Sequence, residues 1–132
     1  MKKINAPVTT LPLPKKGKKK INSIQDAFDE ARRLSKKAEK IRPEKQTIEN
    51  MILKAMEELG ELATDILKLK QYKVNDERKE DILANAKEEV IDGLAMLINI
   101  SEKLQISDKE MVKIFRKKLK KWDKSHLNKK KQ

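Results

Sequence analysis

Residues 88–100, EEVIDGLAMLINI, decide how this chain folds. From Val90 to Ile100 the only strongly polar, hydrogen-bonding side chains are Asp92 and Asn99. A helix that is apolar nearly all round is a buried helix, so this run predicts an all-α core element. A buried carboxylate is costly unless a cation or hydrogen-bond donors meet it, and Asp92 therefore calls for a partner. None is available locally, because no Lys or Arg lies between Lys87 and Lys103. At 100° per residue Glu89, Asp92, Met96 and Asn99 fall within about 80° of one another, so Asn99 can add a neutral oxygen or a donor to the same face.

An earlier stretch repeats the pattern. On the helix predicted from Ile48 to Leu69, the residues Ile48, Ile52, Ala55, Leu59, Leu62 and Ile66 form an apolar stripe. Lys54, Glu58, Glu61 and Asp65 line its edge. Acidic pairs three apart occur four times in the chain, against roughly three expected from its composition. Asp26/Asp29 and Glu77/Glu80 open predicted helices, where negative charge suits the helix dipole and needs no further role. Glu58/Glu61 and Glu89/Asp92 instead sit inside apolar stretches. Two packed helices with such pairs converge four carboxylates on one point, a hard oxygen cluster suited to Mg²⁺ and hence to phosphate. The plainer alternative for the first pair is an amphipathic helix with a Lys54–Glu58 surface ion pair.

Glu57-Glu58-x-x-Glu61, a gap of 27 residues, and Glu89-x-x-Asp92 resemble the EExxE…ExxD signature of the MazG-like, all-α nucleoside triphosphate pyrophosphohydrolases. The flanking LKAMEELGELATDIL and AKEEVIDGLAMLI extend the resemblance, which covers about residues 45–122. It implies a four-helix bundle and Mg²⁺ ligands at Glu58, Glu61, Glu89 and Asp92, with Mn²⁺ as a substitute. Glu57 and Glu88 would be accompanying acids that position water, contribute to a further metal or take a proton. A basic C-terminal helix would help hold the triphosphate, through Lys118 and Lys121 or, in a shifted register, Arg116 and Lys117; snorkelling lysines are the competing reading. Lys54 and Asn99 are the remaining substrate-binding candidates. Hydrolysis of a (d)NTP to the monophosphate and pyrophosphate follows as the expected activity, in a homodimer or homotetramer.

Local signals place four helices. Ser23 or Asn22 caps the first, whose stripe is Ile24, Ala27, Phe28, Ala31 and Leu34, and Pro43 ends it. The second starts at about Glu44 or Thr47 and reaches about Lys70; Tyr72 to Asp76 turns the chain, with Asn75 or Asp76 as the next cap. The third runs from about Glu77 to Leu104. Ser107-Asp108-Lys109-Glu110 has the capping-box form and opens a fourth helix to about Lys124, with Met111, Phe115, Leu119 and Trp122 on one face. Gly60 and Gly93 lie in or beside the acidic motifs, where a helix-interior glycine points to close packing.

The 132 residues make one domain, residues 22–124, between basic tails at 1–21 and 125–132. Aromatic residues are only 3% of the chain, so Leu, Ile, Val, Ala and Met must build the core. Cysteine is absent, which excludes disulfides and thiolate metal sites, and no Glu-x-x-His exists to suggest a di-iron bundle. No run is apolar enough to span a bilayer, and the opening MKKINAPVTTLPLP lacks a continuous signal core, so a cytoplasmic protein without membrane partners is expected. The net charge of +12 is uneven: residues 1–21 hold +7, residues 116–132 hold +8, and the middle is mildly acidic. The tails are expected to be disordered, and as solvated or polyanion-binding segments they support two alternatives to an enzyme. One is a non-catalytic helical module that binds nucleic acid or another polyanion through its Lys-rich ends. The other is a purely structural oligomerisation bundle.

Overall fold

A computed structural model of the chain describes residues 20–71 and 75–127. The expected tails lie outside those residues except for Lys20, Ile21 and residues 125–127, as does most of the turn expected around Tyr72. The described residues form four α-helices and no strand, which is the all-α class that the sequence predicts. No helix among them is long and apolar enough to cross a membrane.

Helix ends fall where short polar side chains satisfy free backbone donors. Helix α1, Ile24–Ile41, begins at Ser23, whose Oγ accepts from Asp26 N at 3.0 Å. Pro43 then starts a 3₁₀ turn, Pro43–Lys45. Helix α2, Ile48–Gln71, follows Thr47, whose Oγ1 accepts from Asn50 N at 3.2 Å. Helix α3, Asp76–Lys103, is capped by Asn75. At its far end Gln105 takes a left-handed φ of 56°, and Ile106 N and Gln105 N donate to Ser101 O and Glu102 O. Those two bonds close a Schellman turn and redirect the chain. Helix α4, Asp108–Trp122, starts on Ser107, whose Oγ accepts from Glu110 N, and ends in a π-helical turn, Asp123–Leu127.

Packing is concentrated between α2 and α3, with α1 laid against α3. Lys36–Glu102 at 2.9 Å and Lys103–Glu39 fasten α1 to the end of α3. The N-terminus of α4 is tied to α1 by Arg32–Asp108 at 2.6 Å and by Gln25 Nε2 donating to Asp108 Oδ2, and the helix is otherwise the most loosely packed of the four-helix bundle.

Among the described residues the buried apolar ones are few: Met51, Ala55, Ala86 and Ile98. Glu58, Asp65 and Glu89 are buried beside them. Two expectations need correction here. On α2 the inward line runs through Met51, Ala55, Glu58 and Asp65, so these two acids occupy the helix–helix interface, while Ile52, Leu59 and Ile66 of the expected stripe are exposed. On α3 the run from Val90 to Ile100 is not enclosed: Val90, Ile91, Leu94 and Leu97 are exposed, and so is Asp92. The physical reason is the same for both. Helix α2 packs mainly on α3, and α3 on α2 and part of α1, so each can bury only part of its circumference. Gly60 also departs from expectation, since a methyl there would meet nothing within 4 Å. Gly93 is buried, and its added Cβ would lie 3.9 Å from Glu58 Cβ, an ordinary contact.

Candidate metal centre

Because α2 and α3 pack along their acidic lines, Glu58 and Glu61 from one helix meet Glu89 from the other. One carboxylate oxygen from each lies within 4.8 Å of the other two, close enough to hold a metal ion. Glu58 and Glu89 are only 5% and 8% exposed, whereas Glu61 faces solvent. The cluster is thus walled by helix on one side and open on the other.

Its polar contacts are asymmetric. Lys54 Nζ lies 2.7 Å from Glu58 Oε1 and 3.2 Å from Glu57 Oε1, so the expected i,i+4 pair exists, but on a buried carboxylate. Glu89 Oε1 accepts a long bond from Asn85 Nδ2 at 3.4 Å, while Glu89 Oε2 is buried with no hydrogen-bond partner. An ionised oxygen left in that state is costly, and either a proton or a cation relieves it; a cation suits a cluster of hard oxygen donors.

Protonation follows from the contacts. The Lys54 hydrogen bond, and then the one from Glu89, hold Glu58 below the usual carboxylate range. The hydrogen bond to Glu58 is also the largest influence on Glu89, whose pKa rises to about 7, with burial and the neighbouring Glu61 and Glu58 charges adding to it. Lys54 is raised by its bonds to Glu58 and Glu57. Three carboxylates cannot all ionise cheaply at this separation, so Glu89 keeps a proton well into the neutral range and shares it with Glu58.

Other anticipated residues are placed elsewhere. Asp92 is exposed, outside the group of three, and lines a shallow depression with Lys87, Glu88 and Ile91 of α3. Its expected burial is thereby corrected. Glu57 is exposed next to Lys54. Lys118 and Lys121 are exposed on α4, which does not pack beside the cluster. Asn99 is half-buried at a cavity bordered by α1. Two residues not anticipated at the site belong to its surroundings. Buried Asp65 accepts from Asn85 Nδ2 at 2.5 Å, which fixes the amide that also reaches Glu89. The available signal was spacing: Asp65 lies seven residues beyond Glu58, and Asn85 four before Glu89.

No family model, curated protein or solved structure matches this chain. The acid cluster, the lysine beside it and the unsatisfied oxygen at its centre are the features of the chain that bear on function.

Proposed function

We propose that the protein is a Mg²⁺-dependent nucleoside triphosphate pyrophosphohydrolase that releases a (d)NMP and pyrophosphate and works as an assembly of two or four copies. The observation that carries this reading is Glu89 Oε2, a buried, unpartnered carboxylate oxygen beside two further acids on a facing helix. Glu58, Glu61 and Glu89 would hold the ion; Asp92, one turn beyond Glu89, is the fourth ligand that the MazG-like pattern requires and is tested separately below. Bound Mg²⁺ would supply positive charge for the phosphates and lower the pKa of an attacking water.

The chain's own groups do the rest. Lys54 keeps Glu58 ionised and holds a positive charge at the cluster's edge, where a triphosphate needs neutralisation. Glu57, adjacent to Glu58 and open to solvent, is the candidate acceptor for the water's proton; Glu88, exposed and adjacent to Glu89, is the second candidate. Lys118 and Lys121 would add charge for the phosphates if α4 of another copy meets the cluster. The exposed apolar residues of α2, α3 and α4 favour such an assembly.

The exposed basic side of α4, with Lys113, Arg116, Lys117 and Lys120, favours a second reading as a polyanion-binding module without catalysis. One experiment separates the two. Nucleoside triphosphates are incubated with Mg²⁺ or Mn²⁺, and pyrophosphate, monophosphate and orthophosphate are quantified. Equal yields of pyrophosphate and monophosphate, abolished by Glu61→Gln and by Asp92→Asn with helicity intact, support the hydrolase. Full activity in Asp92→Asn alone removes Asp92 from the ligand set. Orthophosphate as first product, or no turnover together with salt-sensitive nucleic-acid binding that survives loss of the acids, rejects it.

A further inference from the structure

Helix α4 divides into two faces of opposite character. From Met111 to Trp122 it holds six Lys or Arg and no acid. At 100° per residue Ile114, Met111, Trp122, Phe115, Leu119 and Val112 fall on one arc of about 160°, and the opposite arc of that span is basic. Met111 is half-buried and the other five are exposed. Lys118 alone interrupts the apolar arc, and a lysine there can lay its alkyl stem along the helix while its ammonium reaches the rim.

Both faces are open to a partner. The first turn is held to α1 through Asp108, which meets Arg32 Nη1 at 2.6 Å and accepts from Gln25 Nε2 at 3.4 Å. From Val112 to Ser125 every residue is exposed. Arg116 borders the apolar arc beside Val112, and Lys121 borders it beside Ile114, so positive charge runs along both edges. Lys124, Lys129, Lys130 and Lys131 follow in the sequence, and Asp123 is the only acid after Glu110.

A bilayer rich in anionic headgroups is complementary to that whole pattern. Its acyl chains receive the apolar arc, while phosphates and carboxylates at headgroup level meet the lysines and arginine on both edges. Other partners match only half of it. A nucleic acid would engage the basic arc and leave Phe115, Leu119 and Trp122 in water. A second copy of α4 would cover the apolar arc but bring like charge to both edges. We infer that the protein docks on anionic phospholipid surfaces by laying α4 in the interface, with Phe115, Leu119 and Trp122 among the upper acyl chains. The expectation of no membrane partner rests on the lack of a spanning run, and no described helix is long and apolar enough to cross a membrane. A helix that lies flat in the interface needs no such run. The inference holds whether or not the acid cluster hydrolyses a nucleotide.

The test mixes the full chain with vesicles of equimolar phosphatidylserine and phosphatidylcholine, or of phosphatidylcholine alone, and follows co-sedimentation and fluorescence. Trp122 is the only tryptophan, so the emission reports on α4 by itself. The expected result is binding that favours the phosphatidylserine vesicles, with a blue shift of the emission and protection from acrylamide quenching. Phe115→Ser combined with Leu119→Ser keeps every charge, and should weaken binding roughly tenfold and cancel the blue shift. Lys113→Glu combined with Lys120→Glu keeps the apolar arc, and should weaken binding by a similar factor of roughly ten. All four positions are exposed, and circular dichroism checks that both variants keep their helices. Three outcomes overturn the inference. One is failure to bind the phosphatidylserine vesicles, or equal binding to both kinds, whether or not nucleic acid is bound instead. Another is vesicle binding without a blue shift, or binding unchanged in the Phe115→Ser, Leu119→Ser variant, which would make the lysines act as charge alone. The last is a wild-type assembly, formed without vesicles, that the same variant reduces to monomers in sedimentation velocity, because a second copy then covers the face.

Discussion

At the scale of single residues, the proton held between Glu58 and Glu89 has a measurable consequence. Glu89 titrates at about 7 in the folded chain, against roughly 4.3 for an unfolded glutamate. Between those values the folded state binds a proton that the unfolded state lacks, so the contribution of Glu89 to stability is full below about pH 4.3 and is lost as pH rises to about 7. Glu58, lowered by Lys54, acts in the opposite sense: its contribution is present above the unfolded value and is lost as pH falls through its lowered folded value. In EDTA, wild-type stability should therefore decline from pH 5 to 7.5 relative to Glu89→Gln, which imitates the protonated form. Urea unfolding of both proteins across that range checks it, and parallel curves would contradict the assignment. Mg²⁺ affinity should rise over the same interval, since the ion competes with the proton. The acids at this site were legible in the sequence because their three-residue spacing is local. The Asp65–Asn85 bond was not, because it joins two helices whose relative rotation no short motif encodes.

At the scale of elements, the helix ends were the easiest part to read. Ser23, Asn75 and Ser107 each cap through a bond to a backbone N–H three residues away, so the whole interaction is visible in sequence. The buried faces were harder. An amphipathic stripe says which side of a helix avoids water, but not whether the same chain covers it, and on α2 the covered side carries Glu58 and Asp65. The end of α3 hid a different detail, a left-handed residue that is glutamine instead of glycine. Gln105→Gly should remove the side-chain clash of that conformation and stabilise the fold by about 1 kcal/mol, less the entropy that glycine adds to the unfolded chain. A rise in melting temperature without change in helicity is the expected reading. A fall would mean that the Gln105 side chain supplies more than the strained backbone costs.

For the whole molecule, surface apolarity is the dominant fact. Leu53, Met56, Leu59 and Leu97 are each more than half exposed, and on α4 so are Phe115, Leu119 and Trp122. Monomeric proteins rarely leave large apolar patches in water. Leu53→Glu combined with Met56→Glu should convert an assembly to a monomer while leaving each helix formed, measured by sedimentation velocity with circular dichroism as the control. An unchanged sedimentation coefficient would show that this face is not where copies meet. The connectivity has one more implication, for the order in which the chain is completed. Of the four described helices α1 is synthesised first, yet its ion-pair partners Glu102 and Lys103 lie at the end of α3. As the protein leaves the ribosome, α1 must wait undocked until more than sixty further residues have emerged past Ile41, so the first of these four helices to be made is among the last of them to find its place.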